Sequence, residues 1–180
     1  MSKNVLILST SPRKNSNSEA LAEAFARGAA ESGNAVEMVT LRGKKLRFCL
    51  GCFACQKSGK CVIRDDMQEI VPKMEQADVL VFATPIYYYE MSGQMKTLLD
   101  RANPLFVADY CFRDVYLLAS AAEDEDYVPQ RARSGLEGWV ECFPKARLAG
   151  MVFGGGVTET GEMKDHPERL QEAYALGREA

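Results

Sequence analysis

The sequence predicts an α/β domain built on an open, doubly wound parallel sheet, and three observations carry that expectation. Short, β-branched apolar runs alternate with longer segments of helical period, as strands buried on both faces between covering helices do. Five such runs interleave with five such segments, which is the rhythm of repeated βα units. The chain is 180 residues long with no repeat, linker or low-complexity tract, so residues 1–180 read as one domain with ample core.

The expected strands are Val5–Ser9, Ala35–Thr40, Val79–Ala83, Val115–Ala119 and Leu148–Phe153. The first helix should start after Ser16, because Ser16-Asn17-Ser18-Glu19 has the form of a capping box. Its apolar stripe runs through Leu21, Phe25 and Ala29 and stops near Gly33. Asp65-Asp66-Met67-Gln68 offers a second start and Asp165-His166-Pro167-Glu168 a last one, with Pro at the first helical position. Two further helices span Ser92 to Ala102 and roughly Gln130 to Phe143. The run Glu123-Asp124-Glu125-Asp126 reads as a solvated loop face.

Composition narrows the function classes. At 47% hydrophobic and 26% charged the chain is globular, and a formal net charge of -3 gives no electrostatic support for nucleic-acid binding. Neither a signal-peptide pattern nor a stretch of ~18 apolar residues is found, so a cytoplasmic, non-membrane protein is expected. Thiols there stay reduced. Six cysteines, at 49, 52, 55, 61, 111 and 142, therefore lean toward metal or redox chemistry.

In a doubly wound sheet ligands bind beyond the carboxyl ends of the strands. Two such ends stand out. Ser9-Thr10-Ser11-Pro12-Arg13-Lys14-Asn15-Ser16-Asn17-Ser18 follows the first strand and opens the first helix. Free backbone N–H groups and the helix dipole point at one spot there, Ser9, Ser11, Ser16 and Ser18 can donate, and Arg13 adds a charged fork. A terminal phosphate suits it, whereas neither a P-loop nor a dinucleotide-binding glycine turn is present. After the third strand, Thr84-Pro85-Ile86-Tyr87-Tyr88-Tyr89-Glu90-Met91 is aromatic and stiffened by proline. Three consecutive tyrosines cannot all face a core, so at least one ring faces a ligand crevice or a partner subunit. A phosphate loop and an aromatic loop on one sheet edge describe a mononucleotide with a flat base, and flavin mononucleotide (FMN) fits best.

Cys49-Leu50-Gly51-Cys52-Phe53-Ala54-Cys55-Gln56-Lys57-Ser58-Gly59-Lys60-Cys61 sets four thiols in a C-x2-C-x2-C-x5-C spacing. A compact set of this kind suits an iron–sulfur cluster. Structural zinc more often uses two separated C-x2-C pairs, and free thiols or a disulfide stay open. Cys111 and Cys142 are expected as core or helix residues, since free cysteine commonly behaves as a small hydrophobe. His166, the one histidine, is expected to cap a helix or lie at the surface.

Three segments together, Leu6 to Ser18, Thr84-Pro85-Ile86-Tyr87 and Ser92 to Arg101, resemble the NADPH-dependent FMN reductases of flavodoxin-like fold. The cysteine block followed by Val62 to Met67 is similar, more narrowly, to the iron–sulfur flavoprotein branch. The resemblance implies a five-stranded sheet in the order 2-1-3-4-5, with a cysteine-rich loop (47–64) after the second strand. It implies phosphate held by Ser11, Arg13, Asn17 and Ser18 of the loop that includes Pro12, and Pro85, Ile86, Tyr87 and Tyr88 against the flavin ring. It further implies a homodimer or homotetramer, and a [4Fe–4S] cluster on Cys49, Cys52, Cys55 and Cys61. Thr10 and Ser16 stand where relatives often carry glycine, and Tyr89 where a smaller residue is common.

The expected activity is reduction of a flavin- or quinone-type small acceptor by NAD(P)H. The flavin supplies the chemistry, and no side chain is assigned as a catalytic acid, base or nucleophile. An electron carrier fed by a ferredoxin-like donor, and a non-catalytic flavin or thiol redox sensor, are the rival expectations.

Overall fold

A computed structural model describes residues 2–180. Five parallel strands form the sheet: β1 (Asn4–Ser9), β2 (Ala35–Thr40), β3 (Val79–Tyr87), β5 (Asp114–Ser120) and β6 (Arg147–Gly154). Their order is β2-β1-β3-β5-β6. The sequence rhythm thus found every long strand, and the order is the doubly wound one. A two-residue strand, β4 (Glu90–Met91), folds back antiparallel on the end of β3, pairing Tyr87 with Glu90. The loop expected at residues 84–93 is therefore a strand extension and a tight hairpin.

Alternation along the strands builds two cores. Leu6, Leu8, Leu80, Phe82 and Leu117 face α3 (Met67–Gln76), α4 (Gly93–Arg101) and α5 (Gln130–Glu141). Val5, Ile7, Val79, Val81 and Leu118 face α1 (Asn17–Glu31) and α6 (Pro167–Glu179). This period-2 switch lets one strand serve two helical layers. On the second face α1 and α6 touch backbone to backbone. A Cβ at Gly28 would lie 2.1 Å from the Tyr174 carbonyl oxygen, and one at Gly177 would lie 2.1 Å from that of Phe25. Only glycine fits at either position.

The cysteine-rich segment lies between β2 and α3 and carries one short helix, α2 (Ala54–Ser58). Cys111 is exposed and lies outside any helix, against the expectation of a core or helix residue, whereas Cys142, also exposed, sits at the end of a helix as expected. Tyr110 and Phe112 turn inward, so alternation sends Cys111 outward. Cys142 closes the end of α5, its thiol donating to the Gly138 carbonyl at 3.4 Å. His166 occupies the N-cap position of α6 without a side-chain cap, Nδ1 resting 3.5 Å from the Glu168 carboxylate. Among the described residues, no helix is long and apolar enough to cross a membrane.

Candidate functional site

The serine loop is buried to an unusual degree for a polar segment. Ser9, Thr10, Ser11, Ser16, Asn17 and Ser18 are all at most 2% exposed. Thr10 ties the loop down: its amide and its hydroxyl both donate to the Ala83 carbonyl at 2.9 Å, and the hydroxyl lies 3.1 Å from Ser92 Oγ. Ser16 is the N-cap of α1, accepting from Glu19 N at 3.2 Å. The reciprocal half of the capping box is not made, because the Glu19 carboxylate turns to Arg42 at 3.3 Å.

Two hydroxyls are left over. Ser9 Oγ and Ser18 Oγ are buried and make no hydrogen bond within the chain. Leaving a buried donor unmatched costs about 1–3 kcal/mol. Ser9 ends β1 and Ser18 lies in the first turn of the 15-residue α1, whose dipole and free N–H groups favour an anion. The residues present therefore fit a phosphate group. Ser11 Oγ accepts from Arg13 N at 3.3 Å, and Pro12 is exposed.

The sequence reading missed what closes this loop. Arg13 Nη1 donates to the Thr158 carbonyl at 2.8 Å, and Asn17 Nδ2 to that of Glu159 at 2.9 Å. Asn17 Oδ1 in turn accepts from Met163 N at 3.0 Å. Glu162 folds the strap on itself, accepting from the amides of Thr158 at 2.6 Å and Glu159 at 2.9 Å, which holds its carboxyl below the usual value. Asn17 is thus committed to residues 158–163. The strand-end rule applied to β6 was the available signal.

The aromatic pole is a strained hairpin. Tyr88 and Tyr89 have φ of 51° and 66°, both in the left-handed region, as a two-residue type I′ turn requires. That turn favours Asn-Gly, and each residue with a Cβ pays about 1–2 kcal/mol for it. Thr84 braces the base, its hydroxyl accepting from Ser92 N at 3.0 Å and donating to the Pro85 carbonyl at 3.0 Å. Pro85 is buried, Ile86 half-buried, Tyr87 43% exposed and Tyr88 98% exposed.

Tyr89 reaches across to the end of β5, donating to the Glu123 carboxylate at 3.1 Å. Tyr127 donates to the same carboxylate at 3.4 Å, the two rings lie 6.0 Å apart, and Arg131 stands 5.9 Å over Tyr89. The Glu123 hydrogen bond raises the Tyr89 phenol above its ordinary value, and burial does the same for Tyr127. Both stay protonated donors. Ile86 to Tyr89, with Ala121, Ala122 and Glu123, line a cleft of about 430 Å³. Glu123 therefore lines the cleft, and the run Glu123–Asp126 is exposed throughout, as its sequence reads.

The cysteine loop is fastened at both margins by one arginine. Arg101, 1% exposed at the end of α4, donates to the Arg47 carbonyl at 2.6 Å and grips both Asp65 oxygens at 2.6 and 2.9 Å. Burial opposes ionisation of Asp65, but Arg101 and the amides of Arg47 and Met67 outweigh it and hold the carboxyl below its usual value. Cys61 is half-buried beside Arg101. Cys55 is buried with Asn103 Nδ2 3.4 Å from its sulfur, while Cys49 and Cys52 are exposed. Among the described residues, no three His, Cys, Asp or Glu side chains gather closely enough to hold a metal ion. As placed, the four thiols do not form a ligand set.

Set beside known proteins, residues 3–126 match the family described as NADPH-dependent FMN reductase. This chain belongs to that family. Its curated relatives include two iron–sulfur flavoproteins: one from Methanocaldococcus jannaschii, 40% identical over 101 residues, and one from Archaeoglobus fulgidus, 40% identical over 94 residues. Those alignments cover 56% and 52% of this chain but 52% and 43% of the relatives, so the chain spans about half the length of the curated relatives it matches. Among solved structures, an azoreductase from Bacillus anthracis superposes with a TM-score of 0.75 at 16% identity, over 100% of both chains. An NAD(P)H:quinone oxidoreductase from Methanothermobacter marburgensis gives 0.72 at 19% identity, over 99% of this chain and 96% of that one. At such identities these two establish the flavodoxin-like fold of the family.

Proposed function

We propose that this family member is an FMN-containing oxidoreductase that reduces a flavin- or quinone-type small acceptor with NAD(P)H. The observation that carries the reading is the pair of buried, unmatched hydroxyls, Ser9 and Ser18, at the mouth of α1, on the same sheet edge as the Pro85–Tyr88 segment. Ser11, Ser18 and the α1 amides would hold the phosphate, with Arg13 and Asn17 fastening residues 158–163 over the loop. Pro85, Ile86, Tyr87 and Tyr88 would border the ring. FMN, when bound, accepts hydride from a nicotinamide and passes electrons on. Over a full cycle NAD(P)H, a proton and a quinone give NAD(P)⁺ and a hydroquinone. The chain's own residues bind, orient and shield.

The test is direct. FMN should bind tightly enough to quench its fluorescence, and NAD(P)H should bleach the bound flavin under anaerobic conditions. Failure to bind FMN would sink the reading. Bleaching by neither NAD(P)H nor a reduced ferredoxin would leave a non-catalytic redox sensor.

A cluster-bearing electron carrier, fed by a ferredoxin-like donor, is the second reading. It is favoured by the spacing of Cys49, Cys52, Cys55 and Cys61 and by the names of the relatives, and it requires the segment to close around the [4Fe–4S] group. Iron and sulfide analysis of anaerobically purified protein decides it. A homodimer or homotetramer in the cytoplasm completes the proposal. Exposed Phe48 (79%) and Tyr88 (98%) support subunit association, and sedimentation measures it.

A further inference from the structure

Tyr89 stands at a hairpin position where glycine is unstrained, with φ of 66°. A large side chain persists there against its backbone only if its surroundings hold it. They do: the Glu123 carboxylate, the Tyr127 ring and the Arg131 guanidinium all belong to the segment after β5, not to the hairpin itself. Tyr89 is therefore a strut between the tips of β3 and β5, and both of its ends line one cleft.

The strut also fixes a charge. Phenol donors at 3.1 and 3.4 Å pin the Glu123 carboxylate at the cleft wall, and Glu125 adds a second negative charge close enough to act on both phenols. Arg131, the cation in contact, lies over the Tyr89 ring. The rim thus combines aromatic faces with net negative charge. Rings attract flat aromatic partners by stacking, and a like charge at the mouth of a site repels an anion.

We infer that Tyr89 and Glu123 are specificity-determining residues that admit flat acceptors when these are neutral or cationic and turn away their anionic analogues. The inference rests on the reductase reading and names the acceptor class for it.

The test compares a neutral naphthoquinone with its sulfonated analogue on the FMN-loaded protein. Dissociation constants are measured without NAD(P)H, followed by kcat/KM with it. The wild type should favour the neutral quinone by about tenfold in both, and the preference should shrink at ~0.5 M salt, where exposed charges are screened. Glu123→Gln should cut the preference at least about threefold, mainly by tightening binding of the sulfonate. Tyr89→Gly, which relieves the turn and frees the carboxylate, should cut it as well. Equal binding of the two quinones, or a preference untouched by both substitutions and by salt, overturns the inference. Wild-type FMN binding and anaerobic bleaching are measured first, so that failure of the reductase reading is seen separately.

Discussion

The serine loop and the cysteine loop are both polar connections at the carboxyl edge of one sheet, yet they are held in opposite ways. In residues 9–18 almost every side chain has its place before any ligand arrives: Thr10 is pinned to β3, Ser16 caps α1, and residues 158–163 close over the top. In residues 47–64 the Arg101–Asp65 ion pair ties the margins and only Cys55 and Ile63 are buried between them, while Phe48, Leu50 and Phe53 lie 59–79% exposed. The contrast separates a site built in advance, where a ligand need only meet waiting donors, from a segment fastened at its margins with most of its apolar side chains left outside.

The sharpest way to break that contrast is at the anchor. Arg101→Met leaves the Asp65 carboxylate buried without its cation, and should cost about 3–5 kcal/mol in denaturant titration; a loss under about 1 kcal/mol would mean the loop is held otherwise. Acid should act on the same pair. A carboxyl depressed in the folded state adds stability above its unfolded value of ~3.9, and that contribution is lost as pH falls through the folded value. Wild type should therefore lose its advantage over Asp65→Asn below about pH 4 and keep it at neutrality, as paired unfolding curves would reveal.

On the other loop the effects are smaller and change kind. Ser16→Ala removes the cap of α1 and should cost about 1 kcal/mol. Ser18→Ala deletes a hydroxyl with no internal partner, so stability without FMN should move by less than about 0.5 kcal/mol, while FMN affinity should fall about tenfold or more. Thiol labelling is the mildest probe. Cys49 and Cys52 should alkylate promptly in the native protein and Cys55 only on unfolding, read by mass spectrometry.

The fold was legible because strand runs such as Val79–Ala83 are apolar throughout, the first helix announces itself with its Ser16 cap, and the fourth shows a helical apolar period. The serine loop was legible for the same local reason. The strap over it was not, because the bonds from Arg13 and Asn17 join residues some 145 positions apart. The hairpin at Tyr88-Tyr89 was hidden differently: its sequence contradicts its turn, and contacts with Glu123, Tyr127 and Arg131 in the segment after β5 hold it. Cys111 failed because its inward neighbours, not its own type, decide which way it faces.

The interlocked glycines of α1 and α6 carry a consequence for biosynthesis. Residues 17–31 leave the ribosome long before residues 167–179, yet the groove that seats α1 is completed by Gly177 and its neighbours. Until then the helix whose amino end offers the phosphate donors lacks its partner on one side. On the proposed flavin-binding reading, a nascent chain stalled before α6 should fail to retain FMN, which flavin fluorescence of stalled chains measures.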